Sequence, residues 1–93
     1  MSPSARFALG AIVATPGALR ALEDARQTPL DLLARHITGD WGTVEAEDWK
    51  ANDRALSQGG RLLSAYTLIS GVKLWVITES DRSATTFLLP SEY

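Results

Sequence analysis

Arg61-Leu62-Leu63-Ser64-Ala65-Tyr66-Thr67-Leu68, then Ser70-Gly71, then Val72-Lys73-Leu74-Trp75-Val76-Ile77-Thr78-Glu79, is the stretch on which the fold turns. Its first part alternates, so Leu62, Ser64, Tyr66 and Leu68 share one side of an extended chain. Its second part is dense in β-branched and aromatic residues, with Val72, Leu74 and Val76 on a common face. Ser70-Gly71 supplies a tight turn between them. Ser80-Asp81-Arg82-Ser83 is a polar turn, Ala84–Leu89 is a further strand stopped by Pro90, and Ser91-Glu92-Tyr93 is a short tail. The spacing therefore predicts an antiparallel β-meander. Leu74 and Val76 are expected to face a helical layer, because the opposite face also carries Lys73 and Glu79 beside Trp75 and Ile77.

Upstream of the meander the pattern is helical. Gly59-Gly60 ends a helix predicted over 44–58, with Thr43 as its cap and Glu45, Glu47 and Asp48 in its first turn, where the helix dipole favours acids. Trp49 and Leu56 share one face of it, with Asn52 and Asp53 between them. Gly39-Asp40-Trp41-Gly42 is a loop bracketed by glycines. Thr15-Pro16 and Thr28-Pro29 are two similar helix starts, each with a hydroxyl at N-cap and a proline at N1. Asp31 completes a capping box with Thr28. The first helix is predicted over 16–26 with Leu19, Leu22 and Ala25 inward, the second over 29–38 with Leu30, Leu33 and Ile37 inward. Phe7 to Val13 is an apolar run, read as a strand that pairs with the meander; both of its faces are apolar, which suits a central strand covered on both sides. The expected fold is a single α+β domain over residues 1–93: an N-terminal strand, two to three helices, then a three-stranded antiparallel meander. Together the strands form a four-stranded, mostly antiparallel sheet with helices on one face.

Length and composition limit what such a domain can do. At 93 residues the chain buries about 60–65% of its unfolded surface, which gives modest stability. Three Trp, two Phe and two Tyr supply bulky core material. The absence of cysteine removes disulfides, thiolate zinc sites and cysteine nucleophiles, and fits a reducing, cytoplasmic setting. The apolar run at 7–13 is too short to span a membrane and lacks a signal-peptide cleavage pattern. Net charge is −2 and no basic stripe is visible, so direct nucleic-acid binding is not expected.

Four groups of residues carry chemistry, and each has two readings. Thr78 to Ser83 with Thr85 and Thr86 is the densest polar cluster: Arg82 and Glu79 can grip a phosphate and supply a base, or Asp81 and Ser83 can simply bond their own turn. Arg61 and Lys73, on adjacent strands, can join Arg82 to stabilise a pentacoordinate phosphate, or can be the solvent side of an alternating sheet. His36, the single histidine, is either a general acid–base group or a dipole partner at a helix end; no second ligand at helical spacing makes it a metal site. Asp40, Trp41, Glu45, Glu47, Asp48 and Trp49 form a stretch of four acids and two tryptophans that suits a contact surface for a basic partner with tryptophan as anchor, or else both tryptophans are core and the acids dress a helix start. No cofactor and no metal are expected.

The stretches Leu9-Gly10 with Thr15-Pro16-Gly17-Ala18-Leu19, Arg35-His36 with Gly39-Asp40-Trp41-Gly42, Gly60-Arg61-Leu62-Leu63-Ser64-Ala65-Tyr66, and Trp75-Val76-Ile77-Thr78-Glu79-Ser80-Asp81-Arg82-Ser83 with Leu88-Leu89-Pro90-Ser91-Glu92-Tyr93 carry a resemblance. Across nearly the whole chain, the sequence resembles a family of small, functionally uncharacterised bacterial proteins labelled plasmid-related or hypothetical. The resemblance implies a tie to mobile elements. At the level of fold alone, helices followed by a meander with scattered Arg, Lys, Thr and His also look like the barnase–colicin–RelE class of metal-independent ribonucleases.

Three functions follow as expectations. The first is a non-catalytic binding module that modulates a host or defence complex, in the manner of anti-restriction or anti-CRISPR proteins. Its partner is a basic protein or nucleoprotein, bound through Asp40, Trp41, Glu45, Glu47, Asp48, Glu79, Asp81 and Arg82. The second is a ribonuclease-like toxin using His36, Arg61, Lys73, Arg82 and Thr85. The third is a structural or oligomerisation domain, including a homodimer.

Overall fold

The computed structural model describes residues 5–93. In chain order the elements are β1 (Ala11–Ala14), α1 (Pro16–Ala25), α2 (Pro29–His36), α3 (Ala46–Gln58), β2 (Leu62–Thr67), β3 (Lys73–Thr78), β4 (Ala84–Leu88) and a 3-10 turn at Pro90–Glu92. The strands form one sheet in the order β1-β4-β3-β2. β2, β3 and β4 make the antiparallel meander, and β1 adds to β4 in parallel. The fold is α+β with a mostly antiparallel sheet, as the alternation at 61–89 predicts.

Local chemistry explains the helix starts. The Thr15 hydroxyl accepts from the Ala18 amide at 3.0 Å and donates to the Glu92 carboxylate at 2.6 Å. The hydrogen bond from Thr15, with the backbone amides of Leu89 and Gly17, holds the Glu92 carboxyl below the usual range. Thr28 and Asp31 close a reciprocal capping box at α2.

Register decides which residues meet. Pairing of Leu62 with Thr78, Ser64 with Val76, Tyr66 with Leu74, Val76 with Phe87 and Thr78 with Thr85 puts all of these on one face. Ala18, Ala21, Leu22 and Ala25 of α1 and Leu32 and Leu33 of α2 close over that face, against Tyr66, Leu74, Val76 and Phe87. Leu74 and Val76 thus face the helices, as expected. A second, smaller cluster of Trp41, Ala55 and Leu62 lies toward α3, with Phe7, Val44 and Leu56 packed on it.

Five sequence expectations need correction. β1 is an edge strand of four residues and not a covered central one; Ile12 and Val13 are 47% and 46% exposed. An apolar run on both faces fits an uncovered edge as well as a covered centre, and pattern cannot separate them. Leu19 and Leu30 are exposed. The inward stripe of α1 is Ala18, Ala21, Leu22 and Ala25, whose three alanines let the helix approach the sheet, and Leu19 is turned off that stripe. In α2 the inward set is Leu32, Leu33 and His36, and Ile37 is only half-buried beyond the helix end. Val72 is exposed just before β3. Thr43 does not cap α3, which begins after Glu45 without a side-chain cap; Thr43 instead bonds Ala65 of β2.

Candidate functional site

His36 reaches the sheet face from the last turn of α2, because its spacing of three and four from Leu33 and Leu32 places it on the inward stripe. It is fully buried, as are Ser64, Thr78 and Thr85, one on each strand of the meander. His36 Nδ1 lies 2.5 Å from Ser64 Oγ, His36 Nε2 lies 2.8 Å from Thr78 Oγ1, and Thr78 Oγ1 lies 2.7 Å from Thr85 Oγ1. The Thr85 hydroxyl donates to the Leu9 carbonyl at 2.7 Å.

That last bond fixes every other proton in the row. A carbonyl cannot donate, so Thr85 spends its one proton on Leu9 and must accept from Thr78. Thr78 then accepts from His36 Nε2–H. The neutral ring is left with a bare Nδ1, which accepts from the Ser64 hydroxyl. Burial pushes His36 down to about 4, so the ring is neutral at pH 7. Phe7 and Trp41 pack against it, with ring centroids at 5.2 and 5.6 Å. A serine donating to a histidine is the geometry of a nucleophile and its base. Here both groups are sealed from any substrate, and the row ties α2, three strands and the segment before β1 into one polar seam within the core.

The cationic residues of the expected ribonuclease set do not gather around this histidine. Arg82, at φ +61°, turns inward: one guanidinium nitrogen donates to the carbonyls of Gly60 at 2.6 Å and Glu79 at 3.1 Å, and the other to Ala55 at 3.0 Å. It caps the C-terminal end of α3, where a cation is favoured. Arg61 lies 3.5 Å from the Glu79 carboxylate and donates to the Tyr93 hydroxyl at 2.8 Å, both on the surface. Lys73 begins β3 and Thr78 ends it, so Lys73 is about 17 Å from the Thr78–Thr85 pair at the usual rise per strand residue. Asp81 accepts from the Ser83 amide at 2.9 Å, an ordinary Asx turn.

The acid–tryptophan stretch divides in two. Trp41 is not a surface anchor: it is fully buried, and its Nε1–H donates to Asp53 at 3.2 Å. Asp40 is ion-paired with Arg35 at 2.7 Å and accepts from the Gly42 amide at 3.1 Å, and the arginine holds its carboxyl below the ordinary range. These two residues position the chain instead of presenting it. Glu45, Glu47 and Asp48 are exposed at the start of α3, beside Trp49, which is 37% exposed.

Two clefts open there, separated by Val44, which lines both. The larger, of about 550 Å³, is walled by Val44, Ala46, Trp49 and Lys50. The smaller, of about 170 Å³, lies between α3 and the sheet face opposite α1 and α2, where Leu63, Ala65 and Trp75 form its floor and Glu45, Asp48 and Lys73 its rim. No family model, no curated protein and no solved structure matches the chain. Among the described residues no three His, Cys, Asp or Glu side chains come together to hold a metal ion, and no helix is long and apolar enough to cross a membrane.

Sequence reasoning missed Ser64 and Thr78 as the partners of His36 and missed Val44 and Trp75 as apolar parts of the exposed patch, and it took in Trp49 only together with Trp41. A signal existed for the first pair. Ser64 and Thr78 fall on the apolar side of their strands, and a hydroxyl there needs a buried partner. No signal in the sequence separates Trp41 from Trp49.

Proposed function

We propose that this chain is a non-catalytic binding module that docks a basic protein surface on the double cleft around Val44. Trp49 and Trp75 supply the apolar anchors, and Glu45, Glu47 and Asp48 supply the charge that attracts and orients the partner. One observation carries this reading: Glu45, Asp48 and the partly exposed Trp49 and Trp75 line two adjoining clefts with Glu47 exposed beside them, Lys73 standing on the rim of the smaller one, while His36 and Thr85 are sealed and Arg61 and Arg82 are taken up by Glu79, Tyr93 and backbone carbonyls. The resemblance to plasmid-related proteins supplies the setting, a mobile-element accessory protein that modulates a host or defence complex in the cytoplasm. The partner is a basic protein or the protein part of a nucleoprotein.

The test is capture of a partner from host lysate by the unaltered chain and by two variants. Trp49→Ala, and the combined reversal Glu45→Lys, Glu47→Lys and Asp48→Lys, should each abolish recovery of the same partner with folding intact. Equal recovery by both variants would overturn the proposal.

A further inference from the structure

The sheet has one covered edge and one bare edge. On β2, Leu63 exchanges both backbone bonds with the Asn52 side chain, at 2.7 and 3.0 Å. Ala65 donates to the Trp41 carbonyl at 3.0 Å and accepts from the Thr43 amide at 2.7 Å. On β1, the Ala11 amide donates inward to Ser83 at 2.9 Å and the Thr15 amide inward to Phe87 at 3.0 Å. Alternation then turns the N–H and C=O of Ile12 and Ala14 outward, and among the described residues no strand lies on that side. Their neighbours are apolar and uncharged: no charged residue occurs between Arg6 and Arg20. Neither a lysine nor a proline guards the strand, and such devices are how natural edges are usually kept from pairing.

We infer that β1 is a self-pairing edge, and that two copies of this chain join antiparallel across it about a two-fold axis normal to the sheet. The occupant is a second copy for three reasons. First, the register is self-complementary. With Ile12 opposite Ile12 of the other copy, each donates to and accepts from the other; Gly10, at φ +66°, lies before the strand and does not extend the pairing. Ile12 shares the helix side with its β4 partner Thr85, so the two isoleucines touch on that side while Val13 meets Ala11 on the other. Second, an uncharged strand meets its own image without opposing like charges, and the copy arrives already extended, whereas a free peptide must be ordered on binding. Third, β2 cannot serve as the acceptor, because Asn52 and the 41–43 segment occupy it. Growth therefore stops at two copies, and an isologous, closed contact results. The strand is only four residues long, so the dimer is reversible.

Sedimentation velocity of the full chain from micromolar to millimolar concentration tests this, with amide hydrogen exchange on the same samples. The weight-average mass should rise toward twice that of one chain, and the Ile12 amide should gain protection with concentration while Ala11 and Val13 are already protected. Ile12→Lys, and separately Ile12→Pro, which removes the outward donor together with the isoleucine side chain, should weaken association at least tenfold with an unchanged circular dichroism spectrum and unfolding midpoint. If Ile12→Lys fails to fold, Val13→Lys on the other face carries the same expectation. A strict monomer throughout the range, or a dimer that survives these variants but is lost in Trp49→Ala, would overturn the inference.

Discussion

Along β2 every outward backbone group of Leu63 and Ala65 is taken by the chain itself, whereas along β1 those of Ile12 and Ala14 face solvent. The two edges were closed or left open by different kinds of residue. Closing β2 needed a buried amide, Asn52, which matches a strand's donor and acceptor at once. It also needed Gly42, which holds φ +74° where a Cβ would fall 2.0 Å from the Ala65 carbonyl oxygen. β1 has small and β-branched side chains and, among the described residues, no strand beside it on its outer side. Polar, conformationally special residues therefore mark the managed edge, and plain apolar ones mark the edge that is available.

The largest effect should come from prying the covered edge open. Gly42→Ala should cost about 3–5 kcal/mol in urea unfolding, since it combines a disfavoured backbone angle with a clash against backbone that cannot move aside. A change below 1 kcal/mol on the ordinary scale of surface substitutions, about ±0.5, would mean that the 41–43 segment is not held on β2.

Acid should loosen the seam that joins the two sides. His36 is held at about 4 in the folded chain against an ordinary 6.5, so the unfolded chain binds the extra proton first. Stability is then complete above pH 6.5 and falls as the pH drops toward 4, by roughly 3 kcal/mol in all. Urea midpoints between pH 6.5 and about 5 measure the part due to the single histidine of the chain, and below that Glu92, whose carboxyl is also held low, adds its own loss. Asp40, whose carboxyl Arg35 holds low, adds its loss only at more acid pH. A flat profile between pH 6.5 and 4 would show that the ring is hydrated.

Asn52→Ala should cost about 2 kcal/mol, because it orphans the amide and carbonyl of Leu63 at a partly covered position. Hydrogen exchange should speed selectively at the Leu63 amide, while the β1 amides keep their rates. On the bare edge, Ile12→Thr should move the unfolding free energy of dilute protein by less than about 0.5 kcal/mol. A loss comparable to that of Asn52→Ala would erase the contrast between the edges.

The legible parts of the fold were those written in short-range pattern. The meander, the two Thr-Pro caps and the inward turn of Leu74 and Val76 all follow from spacings of two to four residues. The candidate site was less legible. Glu45, Glu47 and Asp48 stand where a helix start places acids, but the two tryptophans, read alike from the sequence, part ways: Trp41 is buried and Trp49 is partly exposed. Both tryptophans are eight residues apart in acidic surroundings, and only the position of β2 decides that the first is packed under Leu62 and the second faces the cleft. His36 likewise has the same local signature whether it caps a helix in water or donates to a buried threonine.

The sequence by itself determined where strands alternate, where helices start and that the last third pairs with itself, because those choices are settled by side-chain periodicity and by caps within a few residues. Only the tertiary structure decided which edge of the sheet is covered, which tryptophan is buried and what the histidine bonds. Each of those depends on partners more than ten residues away, and a strand's outward amides look the same in the sequence whether or not another part of the chain comes to meet them.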